Sequence, residues 1–279
     1  MNLSSITKEL FEKFVPVAKT PTRQESVFTR MADFMEVAYN KLCGEVIGSS
    51  MVETVESDEK MLAEIMRFVC ITAFISAARS LDLVLTSTGF GIVSTESTAP
   101  ASSARVNALI ADLRVQALLS KERIIEKLIR TEGWGTTDVA IVQIATLFYR
   151  PRLMQQKCTL PLTAENWQTA LQRAQEADAC LRDHISTEYM DELLEHLRTA
   201  SMTNADIVIY EKSTSFIADF ISGYEQTGAK WNKNTLRQIV EQLESYPSSY
   251  TTYTSSPLYS YRHAERESNK QEDSLFFFM

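Results

Sequence analysis

Apolar side chains return every three to four positions along most of this chain, a spacing that predicts helices. The clearest run is Val106, Leu109, Ile110, Leu113, Ala117, Ile124, Leu128 and Ile129, with charges on the opposite side. It predicts a helix over 102–132, capped by Ser102 and ended by the Gly-Trp-Gly segment around Trp134. Near the start, Ile6, Leu10 and Phe14 mark a short helix with one apolar face, and Pro16 and Pro21 break the chain into an extended arm over 15–22. Phe28, Met31, Met35 and Ala38 mark a helix over 25–42 that Gly44 should stop. The helix predicted over 58–83 has a middle, FVCITAFISAA at 68–78, that is apolar nearly all round, as expected at the centre of a core. A buried strand of the same composition is the alternative. The stretch DVAIVQIATLFY at 138–149, closed by Pro151, reads as a buried helix.

A second half begins near Pro161. Leu162, Thr163 and Trp167 form a hydrophobic staple around a Thr cap, and Trp167, Leu171, Ala174, Leu181 and Ile185 mark the helix it opens. Ser186 caps another, carrying Met190, Leu193, Leu194 and Leu197. A third over 206–224 presents Ile207, Tyr210, Ile217 and Ile221, and a fourth over 234–245 presents Leu236, Ile239, Val240 and Leu243. Four helices with short connectors suggest a bundle.

Two segments break the helical pattern. Residues 86–101 are Gly-, Ser- and Thr-rich; Gly89, Phe90 and Gly91 can form a turn, and Ile92 with Val93 a short strand, giving a long loop or short hairpin. A loop of that length between strong helices often serves function. From Tyr246 the chain is rich in Ser, Thr and Tyr, with Leu258 as its only aliphatic before Leu275, Phe276, Phe277, Phe278 and Met279. The expected fold is mainly α: an N-terminal helical domain over 1–152, a C-terminal bundle over 153–245, and an extended polar tail over 246–279 with a Phe-rich docking end.

Composition narrows the function more than it names it. The formal net charge of −8 argues against gripping nucleic acid, which needs clustered Lys and Arg, though an acidic wall can let a duplex slide past. The four cysteines are scattered, with no C-x-x-C pair, and no apolar segment reaches the roughly 20 residues that span a bilayer. No signal-peptide stretch opens the sequence, so a protein made in the cytoplasm, without membrane contact, is expected. Cys180 and His184 share a helix face with His196 on the next helix, but a fourth metal ligand is not evident. The Gly89-Phe90-Gly91 segment lacks the third glycine of a dinucleotide fingerprint and the Gly-Lys-Thr of a P-loop. Asp178 with Asp183, or Glu192 with Glu195, could pair for acid–base work, yet such spacing is ordinary on a solvated helix face. No metal, cofactor or catalytic set is expected.

The wording of LTSTGFGIVSTESTAPASSARVNALIADLR at 85–114, and of NKQEDSLFFFM at 269–279, resembles a family of tailed-phage and prophage proteins encoded among head and neck genes. That resemblance implies a head–tail connector or adaptor: a ring of copies at the head–tail junction of a virion, assembled in the bacterial host cytoplasm. It would touch portal and tail or neck proteins and let DNA pass without sequence-specific binding. The family carries no catalytic residues to transfer. Candidate contact residues are Leu275, Phe276, Phe277, Phe278 and Met279, with Gly89, Phe90 and Gly91. Two other classes stay open: a regulatory protein whose Phe-rich end is a peptide ligand for a partner's groove, and an enzyme whose site forms only between the two helical halves.

Overall fold

Short polar side chains that accept from free N–H groups set where most helices begin. The computed structural model describes residues 5–19, 26–78, 81, 83–86, 89–92, 102–227 and 232–264. Thr7 opens α1 (Lys8–Phe14), and α2 (Ala32–Leu42) and α3 (Val52–Glu56) follow. Asp58 takes the Lys60 and Met61 N–H groups to open α4 (Glu59–Ala77). Strands β1 (Leu83–Thr86) and β2 (Gly89–Ile92) come next, and Ser102 opens α5 (Ser103–Leu128). Thr137 caps α6 (Asp138–Gln143), and α7 (Pro151–Lys157) starts on a proline. Thr163 caps α8 (Ala164–His184), with Trp167 in the core and Leu162 packed against it, and Ser186 caps α9 (Thr187–Arg198). Thr203 and Asp206 cap one another at the start of α10 (Asn204–Thr227). Asn232 opens α11 (Lys233–Ser245), and two short helices, α12 (Thr251–Thr254) and α13 (Pro257–His263), follow.

The mainly α, multi-helix architecture is the one the spacing predicts. Helix α4 is the hub, packing on α5 and α2, while α10 packs on α8, α11 and α7. Helix α5 touches α4 along one side and α7 and α8 along another, so one continuous buried cluster runs from Ile6 to Tyr253. Its α4 part, Val69, Cys70, Ile71, Ala73, Phe74 and Ala77, is sealed from solvent, as the all-round apolar segment requires. Lys157 ties α7 to α10: its ammonium donates to Glu211 (2.9 Å), Thr214 (2.8 Å) and Ser215 (3.1 Å).

Several local expectations shift. On α1 the buried positions are Phe11 and Val15, with Leu10 and Phe14 only half covered. The arm expected over 15–22 is, in its described part, a 3-10 turn at Pro16–Ala18 whose Val15 and Ala18 are buried; 20–22 lie outside the described residues. Gly44 does not stop α2. The helix widens into a π-turn over Cys43–Ile47, and Gly48 ends it at φ +86°, a backbone angle that favours glycine. The buried helix expected over 138–149 is helical only to Gln143. Ile144, Leu147 and Phe148 are buried in an irregular stretch. On α10 Ile207 is 46% exposed, and Ile209, Tyr210, Phe216, Ile217, Phe220 and Ile221 carry the burial instead.

The tail also differs from the extended tether expected from Tyr246 onward. Residues 247–263 are helical turns, and Tyr250 and Tyr253 are buried. Tyr250 sits edge-on to Tyr189 with ring centroids 5.8 Å apart. Aromatic rings took the place of the missing aliphatics, because one Tyr buries as much apolar area as a branched side chain while its hydroxyl reaches a polar partner. Tyr253 donates to Glu244 and Tyr250 to the Ala205 carbonyl, both at 3.3 Å. Residues 265–279, including the Phe-rich segment, lie outside the described residues.

Candidate functional site

Where α5 meets the start of α7, a glutamate sits fully buried on an otherwise amphipathic helix. The Glu122 side chain has no solvent exposure. Its Oε1 accepts from Arg150 Nε at 3.1 Å, and its Oε2 accepts from the Arg152 backbone N–H at 3.3 Å, with Arg152 Nε 3.9 Å away. Arg150 also donates to Glu126 at 2.5 Å, so one guanidinium bridges two successive turns of α5. Pro151 explains the geometry: it fixes the chain direction at the start of α7 and places Arg150 and Arg152 on either side of the carboxylate.

The two partners of this pair respond differently to burial. Loss of solvent outweighs the arginines at Glu122 and raises its carboxyl above the ordinary value near 4.5. At Arg150 desolvation acts against the charge, but the Glu122 and Glu126 carboxylates outweigh it and the guanidinium stays charged. Tyr149 and Tyr210, beside the same cluster, are pushed up chiefly by burial, Tyr210 to about 12.

A cavity of about 240 Å³ opens next to this pair, between α5, residues 142–151 and α8. Glu122, Lys121, Thr146, Tyr149, Trp167 and Gln175 are among the groups that line it. Both oxygens of Glu122 are engaged within the protein, and Trp167 is held by the core, with its ring 6.3 Å from that of Phe148. The other tryptophan of the sequence reading, Trp134, is fully buried and donates to the Val46 carbonyl at 3.1 Å.

Other sequence candidates are placed apart from this seam. Cys180 Sγ lies 3.8 Å from His184 Nδ1, which also approaches the Cys180 carbonyl at 2.9 Å. His196 pairs instead with Asp206, at 3.0 Å. Among the described residues no group of three or more His, Cys, Asp or Glu could hold a metal ion. Burial raises the thiols of Cys70 to about 12 and Cys180 to about 11, which keeps them protonated near neutral pH. Asp178 is taken by Arg182 at 2.6 Å, and that guanidinium holds Asp191 as well. Among the described helices none is long and apolar enough to cross a membrane.

Gly89, Phe90 and Gly91 lie in β2, which pairs antiparallel with β1 in the register Leu83–Ile92, Val84–Gly91, Leu85–Phe90 and Thr86–Gly89. The hairpin stands in the connection between α4 and α5. Among the described residues its sheet has two strands only. The first turns of α5 are also lightly covered: of residues 102–108 all but Val106 are exposed. The other sequence-predicted contact residues, 275–279, lie outside the described part. The buried Glu122–Arg150 pair escaped sequence reading, because a glutamate among helical charges looks like any solvated residue.

The model of a protein family described as a family of unknown function (DUF6712) matches residues 21–140, less than half of the chain. The matched stretch covers α2 to α5, with the hairpin between α4 and α5. No curated protein and no solved structure matches the chain.

Proposed function

We propose that this protein is a structural component of a tailed-phage or prophage particle, a connector or adaptor that assembles as a ring at the head–tail junction and works through protein–protein contacts. The β1–β2 hairpin carries this reading. A two-stranded hairpin is marginal in water by itself, and among the described residues no further strand pairs with either outer edge, so a neighbouring chain that covers it gains burial and hydrogen bonds. Strand β2, the end of β1 and the exposed first turns of α5 fall within residues 85–114, the segment that resembles the phage family. Internal pairing at Glu122 supports the same reading, since those charges bind parts of the chain to each other and leave no free acceptor toward the cavity.

Mixing the protein with a purified portal ring tests the proposal. Light scattering and negative-stain microscopy at micromolar concentration should show either self-association or a layer added to the portal. Substituting Phe90→Asp should reduce either one without lowering the melting temperature. A strict monomer that ignores portal rings would count against the reading.

A further inference from the structure

A second concavity, of about 330 Å³, lies on the face shared by α2, α4 and α5. Its floor is apolar: Leu42, Val46, Phe68, Ile75, Ala117 and Leu118. Phe68 and Ile75 are only half covered there, on the helix whose neighbouring positions are sealed. Thr72 lines the same groove, and its hydroxyl is buried with no hydrogen-bond partner among the described residues.

The rim has the opposite charge sign to the chain as a whole. Lys41, Arg114 and Lys121 line it against one acid, Glu45, although the protein carries a net charge of −8. Lys41 pairs loosely with Glu45 at 3.9 Å, and Arg114 with Glu165 at 3.3 Å. Lys121 makes no hydrogen bond or ion pair with any described residue. Burial disfavours its charge, Glu45 supports it, and Lys41 opposes it. An ammonium half out of water without a partner is costly, and a carboxylate brought to the groove would offset that cost.

We propose that this groove is the docking site for residues 272–279 of a second copy of this chain, with Leu275 and Phe276–Phe278 on the apolar floor and Glu272 and Asp273 on the Lys41–Arg114–Lys121 rim. The segment matches the groove in order and in chemistry: two acids, one serine, then a run of large apolar residues. Phe276 is 12 residues beyond Ala264, the last described position, and an extended chain of that length reaches about 40 Å. That is enough to leave one copy and enter its neighbour. Each Phe transferred from water to an apolar floor gains burial that the polar residues ahead of it cannot supply. The choice of a second copy over the same one rests on the ring reading above, because a heterologous tail-to-groove contact is how identical subunits close a ring.

The test uses the full chain with a photoreactive benzophenone side chain at position Phe277, mixed with an isotopically heavy copy of the unmodified protein. On irradiation, crosslinked peptides should join the light tail to heavy residues of α2, α4 or α5. The yield should fall several-fold in Lys121→Glu, with unchanged helix content by circular dichroism. Lys121→Met, which removes the charge but keeps the stem, should give an intermediate yield. Crosslinks confined to one copy, crosslinks mapping elsewhere, or a yield indifferent to both variants would overturn the proposal. If the crosslink fails while the protein still joins portal rings, the groove assignment falls and the connector reading stands; the converse pattern separates them the other way.

Discussion

At Gly135 the chain comes as close to a neighbour as backbone can. A Cβ built there would lie 2.3 Å from the Arg198 carbonyl oxygen and 2.7 Å from its carbon, so the turn after α5 touches the end of α9 through a missing side chain. Gly135→Ala should therefore force the two apart, at a cost of about 1–3 kcal/mol, and lower the melting temperature by several degrees. Gly44→Ala is the control, since nothing lies within 4 Å of its Cβ position, and it should leave the melting temperature unchanged or raise it slightly. Glu122 offers a prediction in pH. Its carboxyl titrates above the ordinary value, so between the two values the folded chain holds a proton that the unfolded chain has released. This group therefore adds stability as pH falls through that window and withdraws it as pH rises. Glu122→Gln, which cannot ionise, should compare best with the parent at neutral pH and worse as pH falls toward 4.5, read from paired melting curves. A difference that runs the other way would mean that Arg150 outweighs desolvation at the carboxylate.

Among the elements, α4 is where sequence and structure agree most fully. Most of its apolar run is buried, with Phe68 and Ile75 half covered, and Ile71 at 1% exposure lies in the middle of it. Ile71→Asp should abolish the cooperative thermal transition, because an unpaired carboxylate there costs several kcal/mol or must protonate. Retention of the parent melting temperature would remove α4 from the centre of the core. The caps at Ser102, Thr163 and Ser186 were legible for a local reason: each needs only its own side chain and the next turn's N–H groups. What was not legible depended on distant partners. The face of α10 turned away from Ile207 because Asp206, capped by Thr203 and paired with His196, is itself buried at that end. Residues 144–149 left the expected helix, since Leu147 and Phe148 reach the core from an irregular path that ends in the Arg150 pair. The seam cavity and the α2–α4–α5 groove each draw on three stretches far apart in the chain, which periodicity cannot bring together.

For the whole molecule the prediction concerns what residues 275–279 contribute. Deleting them should leave helix content and the melting temperature of the monomer nearly unchanged, while lowering self-association or portal binding in light scattering. A drop of several degrees in the monomer's own melting temperature would show instead that these residues complete its core. The continuous cluster from Ile6 to Tyr253 favours the first outcome, because the described residues already bury the main apolar positions of α4, α8 and α10.

Helix α5 also has a mechanical consequence. It is 26 residues long, about 39 Å at 1.5 Å per residue, and its exposed first turns lie roughly 20 residues from Glu122. A rod of that stiffness behaves as a lever whose fulcrum is the long contact with α4. Torque applied at the exposed first turns would arrive some 30 Å away as a tug on the carboxylate that Arg150 and Arg152 grip. Amide exchange at residues 148–152 would then serve as a strain gauge, quickening or slowing when something takes hold of the far end.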